Sequence, residues 1–104
     1  MILDHLDILI LRKFYKLKKG KDFSIWNWAK KEFPGMNKRE KVAKYNLIIT
    51  RIKRMPFFET KSNGEEQHIL DSKKIKPIKK YLQTHEDILI SFDGNFTVYK
   101  KTNI

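Results

Sequence analysis

The densest chemistry in this chain lies between Asn37 and Arg54. Seven of these residues are lysine or arginine (Lys38, Arg39, Lys41, Lys44, Arg51, Lys53 and Arg54), and only Glu40 is acidic. Guanidinium and ammonium groups at this density suit a polyanion. Lysine supplies charge to phosphates, whereas arginine can grip guanine O6 and N7 and asparagine can grip adenine N6 and N7. Base reading is therefore expected from Arg39, Asn46, Thr50 and Arg51, and phosphate contacts from Lys38, Lys41, Lys44 and Lys53. Flanking cations would come from Lys16, Lys18, Lys19, Lys21, Lys30 and Lys31. Ala43 is small enough to allow close approach. Bond-making chemistry has little support. His5, His68 and His85 are far apart and lack metal-ligand spacing. No phosphate-cradling loop, nucleophile elbow or HExxH motif occurs. The chain is expected to be no enzyme and to need no cofactor and no metal.

A basic segment becomes a recognition surface only when an element holds it. Val42, Tyr45, Ile49 and Ile52, with Ile48 on the flank, recur at spacings of three and four, the period of an amphipathic helix. The spacing predicts that this stripe faces inward. Arg39, Ala43, Leu47, Thr50, Arg51 and Arg54, with Asn46 at the edge, would then face outward. Asn37 and Glu40 form an Asn-x-x-Glu capping box that starts the helix, and Pro56 ends it.

The remaining elements follow from similar signals. Leu3, Leu6, Ile10 and Phe14 predict a first helix over 3–18, which stops at Gly20. Ser24 caps a second helix over 25–33, with Ile25, Trp28, Ala29 and Phe33 on its inner side. Trp26 lies off that stripe and is expected either at a partner surface or under the C-terminal hairpin. Asn63-Gly64 predicts a two-residue type I′ turn. Folding about it pairs Lys61 with Glu66, Thr60 with Gln67, Glu59 with His68, Phe58 with Ile69 and Phe57 with Leu70. Pro77 starts a short helix that runs to about residue 83. A second hairpin spans 88–99, and a three-residue loop from Asp93 to Asn95 sets Ile88, Ile90, Phe92, Phe96 and Val98 on one face.

The 104 residues allow one small domain, and 40% hydrophobic content allows one modest core. The net charge of +11 favours nucleic acid, then an anionic surface or an acidic protein. Genomic base composition alone can enrich lysine, but the charge is unevenly placed. It is +6 over residues 37–54 and −3 over residues 55–72. Cysteine is absent, which excludes disulfides and thiolate metal sites. The start, MILDHLDILIL, has acids where a signal peptide would carry lysines, and its apolar run is too short to span a bilayer. An intracellular, cytoplasmic protein without a membrane role is expected.

Helix, extended piece, capped helix, turn, basic helix, hairpin: over residues 3–70 this order resembles the winged helix-turn-helix DNA-binding superfamily. The matching features are Phe23-Ser24 at the start of the second helix, Ala29 within it, the capped basic helix from Asn37 and the tip at Asn63-Gly64. The resemblance implies an α+β fold with a three-helix core and a β-hairpin wing over 1–70, and a C-terminal helix and hairpin extension over 71–104. It implies that 37–54 is the recognition helix and 57–70 the wing, with Lys61 and Asn63 reaching nucleic acid from the tip. Two departures stand out. Pro34-Gly35-Met36-Asn37 makes a longer turn than the compact bipartite motif, and the wing carries Glu59, Glu65 and Glu66 against Lys61. The expected function is a transcription regulator that binds double-stranded DNA. It is expected to act as a homodimer through residues 1–15 or 72–104. A protein-binding winged module, which could inhibit a nucleic-acid enzyme, and an RNA or nonspecific nucleic-acid binder are the alternatives.

Overall fold

The computed structural model describes residues 1–17, 23–62, 66–83 and 88–100. It is an α+β domain of helices and antiparallel sheets. The order is β1 (Ile2–Leu3), α1 (His5–Lys16), α2 (Ile25–Glu32), α3 (Lys38–Arg54), β2 (Phe58–Ser62), β3 (Glu66–Leu70), a 3₁₀ helix (Lys76–Gln83), β4 (Ile88–Phe92) and β5 (Phe96–Lys100).

The first helix is shorter than the spacing predicts. Asp4 and Asp7 form a capping box, with the Asp7 N–H donating to Asp4 Oδ1 at 3.0 Å and the Asp4 N–H to Asp7 Oδ2 at 3.2 Å. That cap starts the helix at His5 and leaves residues 2–3 extended. Leu3 is accordingly a strand residue opposite Ile90, and Ile2 lies opposite Ser91. The resulting sheet has the order β1-β4-β5.

Ile8, Ile10, Leu11 and Phe14 of α1 are buried at the centre of the core. Ser24 caps α2 as expected, accepting from the Asn27 N–H at 3.2 Å, and Trp28 and Ala29 are buried beneath it. Trp26 is half-buried against α3, not under the C-terminal hairpin. Its ring meets Tyr45 edge-on at 5.8 Å, joining α2 to α3.

The two hairpins differ in how they match expectation. In β4-β5, Phe92 pairs with Phe96, Ile90 with Val98 and Ile88 with Lys100, the register of the three-residue loop. Gly94 takes φ +101° in that loop, a conformation that favours glycine. Phe57, Phe92 and Phe96 form one aromatic cluster with ring centroids 4.8–5.3 Å apart. The β2-β3 register is shifted by one residue from the expected one, and pairs Phe58 with Leu70, Thr60 with His68 and Lys61 with Gln67. The cause is the core. This register turns Phe58 and Leu70 to the same side and packs both against it, whereas Ile69 faces outward. The type I′ turn expected at Asn63-Gly64 lies outside the described residues.

The helix expected near Pro77 is a 3₁₀ helix. Ile75, just before it, and Ile78 and Leu82 within it are buried. Among the described residues, no helix is long and apolar enough to cross a membrane.

Candidate nucleic-acid interface

The helix that carries the candidate residues begins where its capping box places it. The Glu40 N–H donates to Asn37 Oδ1 at 2.8 Å, and the Asn37 N–H donates to Glu40 Oε1 at 3.3 Å. Its rotation differs from the predicted one. Ile48 and Ile52 are buried, Tyr45 and Ile49 are half-buried, and Val42 is 44% exposed. The inward line therefore runs through Lys41, Tyr45, Ile48 and Ile52 to Met55. Two features explain the turn. Met55, just past the helix, is itself buried, and Arg51 is drawn inward by acids on α1.

The exposed face consequently carries Lys38, Arg39, Ala43, Asn46, Leu47, Thr50 and Lys53, all solvent-facing. Arg39, Asn46 and Thr50 lie on one side of α3, and Ala43 lies between them along the helix. Thr50 Oγ1 donates to the Asn46 carbonyl at 2.8 Å, so its proton is already committed within the helix. Lys41 and Lys44 are half-buried, and the Lys44 ammonium sits 4.5 Å from the centre of the Phe33 ring. Lys30 and Lys31 at the end of α2 are exposed. Lys61 is exposed on the hairpin, whereas Asn63 lies outside the described residues, as do Lys18, Lys19 and Lys21.

Arg51 and Arg54 are corrected. Both were expected on the open face, and both bind carboxylates of α1. Arg51 Nη1 donates to Asp4 Oδ2, and to Asp7 Oδ2 at 3.3 Å; Arg54 Nη2 donates to Asp7 Oδ2. The Asp7 side chain is fully buried, and its Oδ1 has no hydrogen-bond partner. Burial pushes the Asp7 carboxyl upward, aided by the neighbouring Asp4 charge, against the Asp4 N–H and the two guanidinium groups. Burial alone would raise Asp4 too, but the Asp7 N–H and Arg51 outweigh it and hold Asp4 below its ordinary value. Arg51 is raised chiefly by its hydrogen bond to Asp4.

A signal for this cluster was present in the sequence. Asp7 stands three and four residues before Ile10 and Leu11, on the apolar stripe of α1. A buried acid at such a position calls for a cationic partner.

Among the described residues, no group of three His, Asp or Glu could hold a metal ion. An open cleft of about 510 Å³ lies beside the β4-β5 turn. Its lining includes Phe57, Phe92, Phe96 and one ionisable group, Lys74. Comparison with protein-family models, curated proteins and solved structures gives no match to this chain.

Proposed function

We propose that this protein is a winged-helix DNA-binding regulator that inserts α3 into the major groove of double-stranded DNA. One observation carries the proposal: Arg39, Ala43, Asn46 and Thr50 share the exposed face of a well-capped helix whose opposite face is buried. Such a helix can approach base edges while lysines at its ends and on α2 meet phosphates. The β2-β3 hairpin follows α3 directly, which supports reading it as a wing. Arg51 and Arg54 are withdrawn from base reading, because their acceptors lie on α1. They fix the angle between α1 and α3 instead.

The protein acts in the cytoplasm as a homodimer on this proposal. Its two expected dimer segments meet in one sheet, since β1 pairs with β4. Among the described residues, the outer face of that sheet carries Ile2, Leu89, Ser91, Thr97 and Tyr99 and no charged side chain. Two copies of a +11 chain repel least across such a face.

A protein partner is the alternative, favoured by Val42 and Leu47 on the outer side of α3, 44% and 38% exposed. A salt titration against random and selected duplexes tests the choice. Steep salt dependence with a sequence preference is expected. Steep dependence without preference indicates nonspecific or RNA binding, and no binding at low salt leaves the protein partner.

A further inference from the structure

We infer that the segment leading into and forming the 3₁₀ helix is a second contact surface for a nucleic-acid backbone, separate from α3. Residues 73–80 read Lys-Lys-Ile-Lys-Pro-Ile-Lys-Lys, with five lysines and no acid. Backbone hydrogen bonds from Lys74 N to Asp71 O at 3.1 Å and from Ile78 N to Ile75 O at 3.0 Å close one turn before Ile75 and the first turn of the 3₁₀ helix. Side chains three apart therefore eclipse. Ile75 and Ile78 form one row, buried at 0% and 1% exposure. Lys76 and Lys79 form another within the 3₁₀ helix, Lys73 precedes them in the adjoining turn, and all three are exposed.

No described carboxylate forms a salt bridge with any of these three lysines. Lys79 lies 5.5 Å from the centre of the Tyr15 ring, a contact that steadies the ammonium without neutralising it. At one end of the row the Arg12 Nε donates to the Leu82 carbonyl, which ties the 3₁₀ helix to α1. Lys74 donates to the Pro56 carbonyl at 3.5 Å, which ties the other end to the segment after α3. Three exposed cations result that no described carboxylate neutralises.

Spacing and surroundings select the partner. One 3₁₀ turn rises about 6 Å, and flexible lysine side chains at that spacing can each reach a phosphate of a closely charged backbone. A bilayer surface fits less well. Interfacial helices insert an apolar face, and here the apolar row is committed to the core. The row carries no base-reading side chain, so its contribution is independent of sequence. The inference rests on the nucleic-acid reading of the protein, but not on α3 being the element that reads bases.

The test is the triple variant Lys73→Gln/Lys76→Gln/Lys79→Gln in the full chain. Binding to a random DNA duplex would be measured against salt, beside Arg39→Ala/Asn46→Ala and vesicles containing phosphatidylserine. The triple variant is expected to lower the magnitude of the log K against log salt slope by about 2–3, as loss of three phosphate contacts requires. Its thermal unfolding should match wild type, and the Lys→Arg triple should restore the slope. An unchanged slope in the Gln triple overturns the inference while leaving the role of α3 intact. A flattened slope with no change of preference in Arg39→Ala/Asn46→Ala supports the lysine row and removes base reading from α3. Loss of vesicle binding alone overturns the inference in favour of a membrane, and a wild-type protein that binds no duplex overturns both proposals.

Discussion

At the scale of single residues, two groups of cations on one helix have different tasks. Arg39 and Asn46 face solvent, so Arg39→Ala or Asn46→Ala should relax preference at particular bases by about 1–3 kcal/mol each, read by selection from a random duplex pool. Lys38→Ala should weaken all duplexes alike. Arg51 behaves otherwise, because its acceptors are Asp4 and Asp7. Asp7→Ala removes the buried acceptor shared by Arg51, Arg54 and the Asp4 N–H and should lower unfolding free energy by about 2–3 kcal/mol in urea titrations, less than for a wholly buried cluster because Arg54 is 44% exposed. The pH dependence follows from opposite shifts. Asp4 is lowered, so its contribution is present above its ordinary value of 3.8 and is lost as pH falls through its folded value. Asp7 is raised, so the folded protein holds that proton longer, and stability falls as pH rises from 3.8 to the raised value. Urea unfolding across this acid range should show that fall in wild type and lose it in Asp7→Asn. Had Asp7 been weighed as an acid within an apolar stripe, a search for its partner would have led to the arginines of the basic helix. Which arginines answer it depends on where two helices cross.

At the scale of elements, local signals were legible wherever the physics is local. The Asn37–Glu40 box starts α3 and the Ser24 cap starts α2 at the positions read from sequence, because each cap satisfies N–H groups only two or three residues away. Asn37→Ala should therefore destabilise the protein by about 0.5–2 kcal/mol, measured by thermal or urea unfolding, with binding losses that track the unfolded fraction. The β4-β5 register was legible because only one loop length gathers its apolar residues on one face. Rotation of α3 was not. Its apolar residues occupy a broad arc in which Val42 and Ile48 are equally good candidates by spacing. Burial of Met55 and the pull of Asp4 and Asp7 on Arg51 select Ile48. The β2-β3 register likewise slipped by one, since the turn preference of Asn-Gly is small beside the burial of Phe58 and Leu70 together. The first element was missed for a related reason: a two-residue strand has no periodicity of its own and exists only through its partner β4.

At the scale of the whole molecule, charge and topology set what can approach. The outer face of β1-β4-β5, uncharged among the described residues and with Ile2 57% and Tyr99 52% exposed, is where two copies would meet. Tyr99→Lys should shift sedimentation equilibrium towards monomer and leave the helical circular dichroism unchanged; an unaltered mass distribution would place any dimer contact elsewhere. Composition alone determined the net charge and the absence of thiol chemistry, because these depend on counts, while the α+β class was legible from the order of helical and strand patterns. Tertiary structure decided which cations remain open. Arg51 and Arg54 were claimed by acids more than forty residues earlier in the chain, whereas Arg39 and the lysine row at 73–79 were left facing solvent. An ion pair depends on the distance between charges in space, and sequence separation carries no information about that distance until the core has brought α1 against α3.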